Sequence, residues 1–125
     1  MGRLQDKVCI ITGAAGGQGQ VAVKLFAEQG ARIVATDLPG KATDDINETM
    51  QNHPGQVHYV RGDVTVNADL DDIVKTAMDK FGRIDVLFNN HGVMVGSPLL
   101  ETTEEEIDHV LNINVRASFL LCQRV

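Results

Sequence analysis

Between the apolar run Val8-Cys9-Ile10-Ile11 and a helical pattern lies the stretch Thr12-Gly13-Ala14-Ala15-Gly16-Gly17-Gln18-Gly19. Glycines let a main chain turn tightly and approach an anion with no Cβ in the way. The helix start that follows adds unpaired N–H groups and the positive end of a dipole, which suits a pyrophosphate. A tight turn that merely needs positive φ would use the same residue types. The placement between a first strand and a first helix favours the anion-binding role. Asp37 closes the second apolar run, Ile33-Val34-Ala35. A carboxylate there can accept from ribose hydroxyls and would repel a 2′-phosphate. Like charges about 4 Å apart cost on the order of 1–4 kcal/mol outside a dry interior. No Arg or Lys lies in the glycine turn, or after Asp37 until Lys41. Asp63 and Asn89-Asn90 close two further apolar runs.

The elements that must position these residues follow from periodicity. The run 8–11, apolar on both faces, reads as a strand of a parallel sheet covered on both sides, and 33–35, 57–60 and 84–88 read as its further strands. Val21, Ala22, Leu25 and Phe26 repeat at helical spacing, with Gly30 as the C-terminal stop. A weaker helix carries Ile46 and Met50. Leu70, Ile73, Val74, Ala77, Met78 and Phe81 form one stripe, which Gly82 ends. Thr103 and Glu106 make a capping-box pattern ahead of a last helix. On that helix Ile107, Val110, Leu111, Ser118, Leu121 and Cys122 mark an inward face that includes Asn114. A buried amide there needs hydrogen-bond partners, and it can bend the helix that carries it.

Strand and helix alternate four times. The expected fold is α/β: a Rossmann-type doubly wound parallel sheet of four strands in order 3-2-1-4, over one domain, residues 1–125. Ligands of such sheets bind at the carboxyl ends of the strands, where Thr12-Gly13, Asp37, Asp63 and Asn89-Asn90 fall.

Composition narrows the partners. The net charge is −6 with no basic run, which argues against nucleic acid and anionic membranes. No stretch is long and apolar enough to span a bilayer. No His/Cys cluster suggests a metal. Cys9 and Cys122 are far apart, and Cys9 reads as a buried thiol in a reducing cytoplasm.

The glycine spacing fits two patterns. Gly13, Gly17 and Gly19 match T-G-x-x-x-G-x-G; Gly13, Gly16 and Gly19 match T-G-x-x-G-x-x-G. Other segments decide. Phe81-Gly82-Arg83-Ile84-Asp85-Val86-Leu87-Phe88-Asn89-Asn90-His91-Gly92 resembles the F-G-x-I-D-x-L-x-N-N-A-G segment of the single-domain short-chain dehydrogenases/reductases. Asp63-Val64 resembles their D-V pair. Asn112 to Phe119 is similar to their N-x-x-G-x-F helix motif, aligned on Asn114. His91 departs from the usual Ala, by packing or by touching substrate, and Ala117 replaces a frequent Gly.

The resemblance implies an NAD-dependent oxidoreductase moving hydride between NAD(H) and a small alcohol/carbonyl substrate. It implies cofactor contacts from Gly13, Ala15, Gly17, Gln18, Gly19, Asp37, Asp63, Val64, Asn89, Asn90 and Gly92. Asp63 and Val64 would hold adenine, Asn89 would brace the sheet centre, and Asn90 would lie near ribose. Asn114 is the catalytic residue carried over, holding a water in a proton relay with Ser, Tyr and Lys. Those three are not found: Tyr59 is the sole tyrosine and no Lys follows it by four residues. The chain is therefore expected to be an N-terminal portion that binds nucleotide at most, is inactive alone and is poorly stable. The complete enzyme is expected to be a cytoplasmic homodimer or homotetramer. The rival reading is a non-catalytic dinucleotide-binding or regulatory module, or a truncated gene product.

Overall fold

The computed structural model describes residues 2–125. Its sheet consists of β1 (Val8–Ile11), β2 (Arg32–Asp37), β3 (Val57–Arg61) and β4 (Val86–Phe88), all parallel, in the order β3-β2-β1-β4. The helices are α1 (Gly17–Glu28), α2 (Asp44–Asn52), α3 (Asn67–Phe81), α4 (Glu104–Leu111) and α5 (Ala117–Arg124). This is the doubly wound arrangement and strand order that the alternating pattern predicts.

Alternation along each strand splits the core in two. Cys9, Ile11, Ile33, Ala35 and Val57 face α1 and α2, packing with Ala22, Val23, Ala27 and Ile46. Ile10 and Val34 face the other way, onto Ile73 and Ala77 of α3. Each fully buried Ile or Val contributes about 1.5–3 kcal/mol relative to exposure.

Two expectations about α1 and β4 need correcting. On α1 the inward residues are Gly19, Ala22, Val23 and Ala27, while Val21 and Leu25 are 65% and 50% exposed. Small residues face inward because α1 lies close over the sheet, so the buried face is rotated from the one its largest apolar residues mark. The fourth strand starts at Val86 rather than Ile84. Asp85 instead turns back to accept from the Val8 amide at 2.9 Å, and Arg83 and that amide hold its carboxyl below the usual range. Strand β4 pairs with β1 alone and Phe88 is 36% exposed, so β4 is the edge strand that the order 3-2-1-4 predicts.

The last helix is not continuous. Residues Asn112–Arg116 form a π-helical turn between α4 and α5. Ala117 and Leu121 face the core, whereas Ile107 and Leu111 lie exposed, which corrects the inward face assigned to them. The capping box at the start of α4 is present in full: Glu106 N–H donates to Thr103 Oγ1, and the Thr103 amide donates to Glu106 Oε2.

Cys9 is buried and its thiol is pushed up to about 11 by burial, then by the Asp85 charge; Cys122 is exposed. Since the thiolate is the reactive form, a thiol titration near pH 8 should label Cys122 within minutes. Cys9 should react only after denaturant is added. Two equally fast thiols would contradict this packing.

Candidate functional site

The carboxyl ends of the four strands surround a cavity of about 310 Å³. The turn after β1 contributes Gly13, Gly16, Gly17 and Gln18. The end of β2 contributes Thr36, Asp37, Leu38 and, slightly further on, Lys41. Gly62, Asp63 and Val64 follow β3, and Asn90, His91, Gly92 and Val93 follow β4. Ala15, Gly19, Asn89 and Asn114 do not line it.

Each glycine of the turn does something different. Gly13 has φ +59°, and a Cβ on it would stand 2.8 Å from the Asn90 carbonyl oxygen. A Cβ on Gly19 would stand 2.1 Å from the Gly13 oxygen, so Gly19 is what lets α1 close onto the turn. A Cβ on Gly17 would meet nothing within 4 Å: the space over it is open to the cavity. Gly13 and Gly19 are thus structural necessities, and Gly17 leaves room for something else.

Helix α1 begins without a side-chain cap and without an acidic residue in its first turn. By contrast α4 starts with its capping box and three glutamates. The N–H groups at the start of α1 are therefore available to an anion, with the helix dipole behind them.

Asp37 is placed at the cavity, but its carboxylate already holds the turn. Oδ2 accepts from the Ala15 amide at 2.9 Å and Oδ1 from the Leu38 amide at 2.7 Å. The sequence gives no signal for the contact to Ala15, whose partner lies 22 residues away. Each oxygen keeps a further lone pair for a ligand hydroxyl. Next to it Thr36 Oγ1 is buried and unpartnered, and Thr36 is part of the cavity wall. A cradle open above Gly17, an uncapped helix start, a carboxylate with spare acceptors and an orphaned hydroxyl together fit a nucleotide bearing phosphate and ribose.

Asp63 Oδ1 accepts from the Thr65 amide and hydroxyl at 2.8 and 2.6 Å, and the Asp63 amide donates to Asp69. Asn90 pins the end of β4 to the turn: its amide donates to Thr12 Oγ1 at 3.0 Å and its Nδ2 to the Gly13 carbonyl at 3.2 Å. Asn89 lies at the outer edge, with Nδ2 towards Cys122 Sγ and Oδ1 buried and unpartnered. Gly92 lies against Asn114, whose Oδ1 a Cβ would approach to 3.5 Å.

Asn114 sits in the π turn. It is exposed rather than buried, and its amide is paired with one residue: Oδ1 accepts from the Val93 N–H and Nδ2 donates to the Val93 carbonyl, both at 2.8 Å. A π turn leaves backbone groups out of the α-helical ladder and often marks a functional position. Here it aims Asn114 at the loop after β4. No metal-binding group of His, Cys, Asp or Glu occurs among the described residues.

Fold and site define a doubly wound α/β protein with a cavity at the carboxyl ends of its strands. Residues 7–125 match the family model described as short chain dehydrogenase. The chain is 37% identical over 123 residues to a 3-oxoacyl-acyl-carrier-protein reductase of Thermotoga maritima, covering 98% of this chain and 50% of that protein. It is 35% identical to tropinone reductase-like 1 of Erythroxylum coca, covering 94% and 44%. A 3-ketoacyl-acyl-carrier-protein reductase from Brucella melitensis complexed with NADH superposes with a TM-score of 0.85 at 31% identity, covering 97% of this chain and 50% of that one. A short-chain dehydrogenase/reductase from Burkholderia xenovorans reaches 0.91 at 32%, covering 100% and 52%. The chain belongs to the short-chain dehydrogenase/reductase family, whose members bind nicotinamide dinucleotides, and it spans about half the length of the relatives it matches. No helix among the described residues is long and apolar enough to cross a membrane.

Proposed function

We propose that this chain is the nucleotide-binding portion of an NAD-dependent oxidoreductase acting on a small alcohol/carbonyl substrate. The observation that carries the reading is the open space above Gly17, at an uncapped helix start, in a cavity that Asp37 also lines. When bound, the dinucleotide supplies the hydride chemistry. The chain's part is to bind and orient it. The N–H groups of Gly17 and Gln18 take the pyrophosphate, with Gly13 and Gly19 shaping the turn and Ala15 fixing its path through Asp37. Asp37 accepts from the adenosine ribose, Asp63 and Val64 hold the adenine, and Asn90 and Gly92 border the remaining ribose. Asn89 braces the sheet. Asn114 is the member of the proton relay carried here; through Val93 it also fixes the loop that flanks the cavity.

The exposed row Ile107, Leu111, Val115 and Phe119 supports assembly of the whole protein as a homodimer or homotetramer. The free buried Cys9 supports a cytoplasmic setting. The rival, a non-catalytic module of the same fold, shares the nucleotide site and differs only in turnover. A second cofactor reading has one observation behind it: Lys41 lies on the cavity wall with Asp37, where a 2′-phosphate would find a cation.

Fluorescence titration with NADH and NADPH tests both. Wild type is expected to prefer NADH. Asp37→Ala should weaken NADH about tenfold or more, by loss of acceptors for the ribose and for Ala15, and should weaken NADPH less. A wild type that prefers NADPH, with Lys41→Ala removing the preference, would transfer the assignment to NADP.

A further inference from the structure

Nothing in the proposed reaction uses His91, although it lines the cavity. Its surroundings determine its proton. Thr12 Oγ1 accepts from the Asn90 amide at 3.0 Å and from the His91 amide at 3.2 Å. A hydroxyl has two lone pairs and one proton, so only that proton remains to be placed. His91 Nδ1 is 2.7 Å away and the Phe88 carbonyl 3.4 Å. The proton therefore goes to Nδ1, and the proton of the neutral ring resides on Nε2. Nε2 lies 3.2 Å from Ser118 Oγ, and the Ser118 hydroxyl in turn faces the Asn114 carbonyl at 3.5 Å.

We propose that His91 is a positioning residue: held neutral as the Nε2–H tautomer, it relays hydrogen bonds from Thr12, beside the phosphate turn, to Ser118 and the π turn carrying Asn114. The relay joins the residue that follows β1 to the helix that follows the π turn, through a ring that lines the cavity. Protonation breaks it, because an imidazolium has no acceptor for the Thr12 proton.

The charged groups lining the same cavity are Asp37, Lys41 and Asp63. Burial lowers the His91 ring below its ordinary 6.5, against the opposing pull of the Ile113 carbonyl and the Asp37 charge. On the helical side, Arg116 is exposed and Arg124 is engaged with Asp71. A folded-state value below the ordinary one means the relay is intact above about pH 6.5 and is lost as pH falls through the depressed value.

The ring readout does not depend on the nucleotide assignment. In the full chain labelled at histidine with ¹⁵N, the His91 signal is identified by its loss in His91→Gln. It should show a protonated Nε2, an unprotonated Nδ1 and a titration below 6.5. Ser118→Ala should shift that titration. An Nδ1–H tautomer, an ordinary titration, or no response to Ser118→Ala would overturn the proposal.

The second readout rests on the nucleotide reading. NADH affinity, followed between about pH 5 and 8, should fall towards acid in wild type. His91→Ala should bind about three- to tenfold more weakly at neutral pH and lose the acid limb. His91→Gln supplies an acceptor and a donor without titrating, so it should restore affinity with a flat profile. Wild-type affinity and pH profile in His91→Ala would overturn the relay. If no form binds NADH, the nucleotide reading fails, and the ring readout alone decides on the relay.

Discussion

Gly19→Ala is expected to cost about 3 kcal/mol of stability and roughly 10 °C in Tm, and to abolish NADH binding with it. The added Cβ would lie 2.1 Å from the Gly13 oxygen and 2.7 Å from Ala14 Cα. Both are backbone atoms, so no side chain can swing aside and the turn itself must shift. Gly17→Ala is the matched control with the opposite signature. Nothing of the protein lies within 4 Å of its Cβ, and alanine is the better helix former. Its Tm should hold or rise slightly while NADH affinity collapses, because the methyl occupies the space a pyrophosphate needs. Thermal melts and titrations on the pair separate the architectural glycine from the ligand-facing one. Equal effects of the two substitutions on both measurements would refute the division.

The second large effect is on turnover. The 125 residues, expressed as they stand, are expected to bind NADH and to reduce or oxidise nothing. Hydride transfer to a carbonyl needs a positioned acid for the substrate proton. The one tyrosine, Tyr59, sits in β3 with its hydroxyl pushed up by burial and then by Asp37, and Arg61-Gly62-Asp63 follows it without a lysine. The unpaired outer edge of β4 and the exposed Ile107, Leu111, Val115 and Phe119 should also make the chain self-associate as its concentration rises. Sedimentation and a panel of secondary alcohols with NAD check both halves. Turnover on the order of 1 per second or faster would show that an unrecognised group performs the proton transfer.

Which features could be read beforehand depended on how local their causes are. Strands β1 and β2 are buried on both faces because helices cover both sides, and their short apolar runs signal that directly. The stripe on α3, its glycine stop and the capping box on α4 are likewise set within a few residues. The inward face of α1 was misread because Val21 and Leu25 are its conspicuous apolar residues, whereas close approach to the sheet selects Gly19, Ala22 and Ala27. Asn114 was found as a residue but not as a contact. Its partner Val93 lies 21 positions away in an irregular loop, and the π turn that aims it has no periodic signature. The His91 ring was recognised as a departure, but its hydrogen bonds depend on Thr12 and Ser118, which only the fold brings together.

The double engagement of Asp37 bears on how such a protein diverges. In the proposed reading one carboxylate selects the nucleotide, and the same carboxylate fastens the Ala15 amide. A mutation that admits a phosphorylated ribose by removing the charge would, in the same stroke, loosen the loop that must receive it. A lineage or an engineer shifting preference would therefore have to pass through a weakened intermediate. The alternative is to install a replacement acceptor for Ala15 first, so the order in which substitutions accumulate is constrained, and single-site swaps at this position should disappoint unless paired.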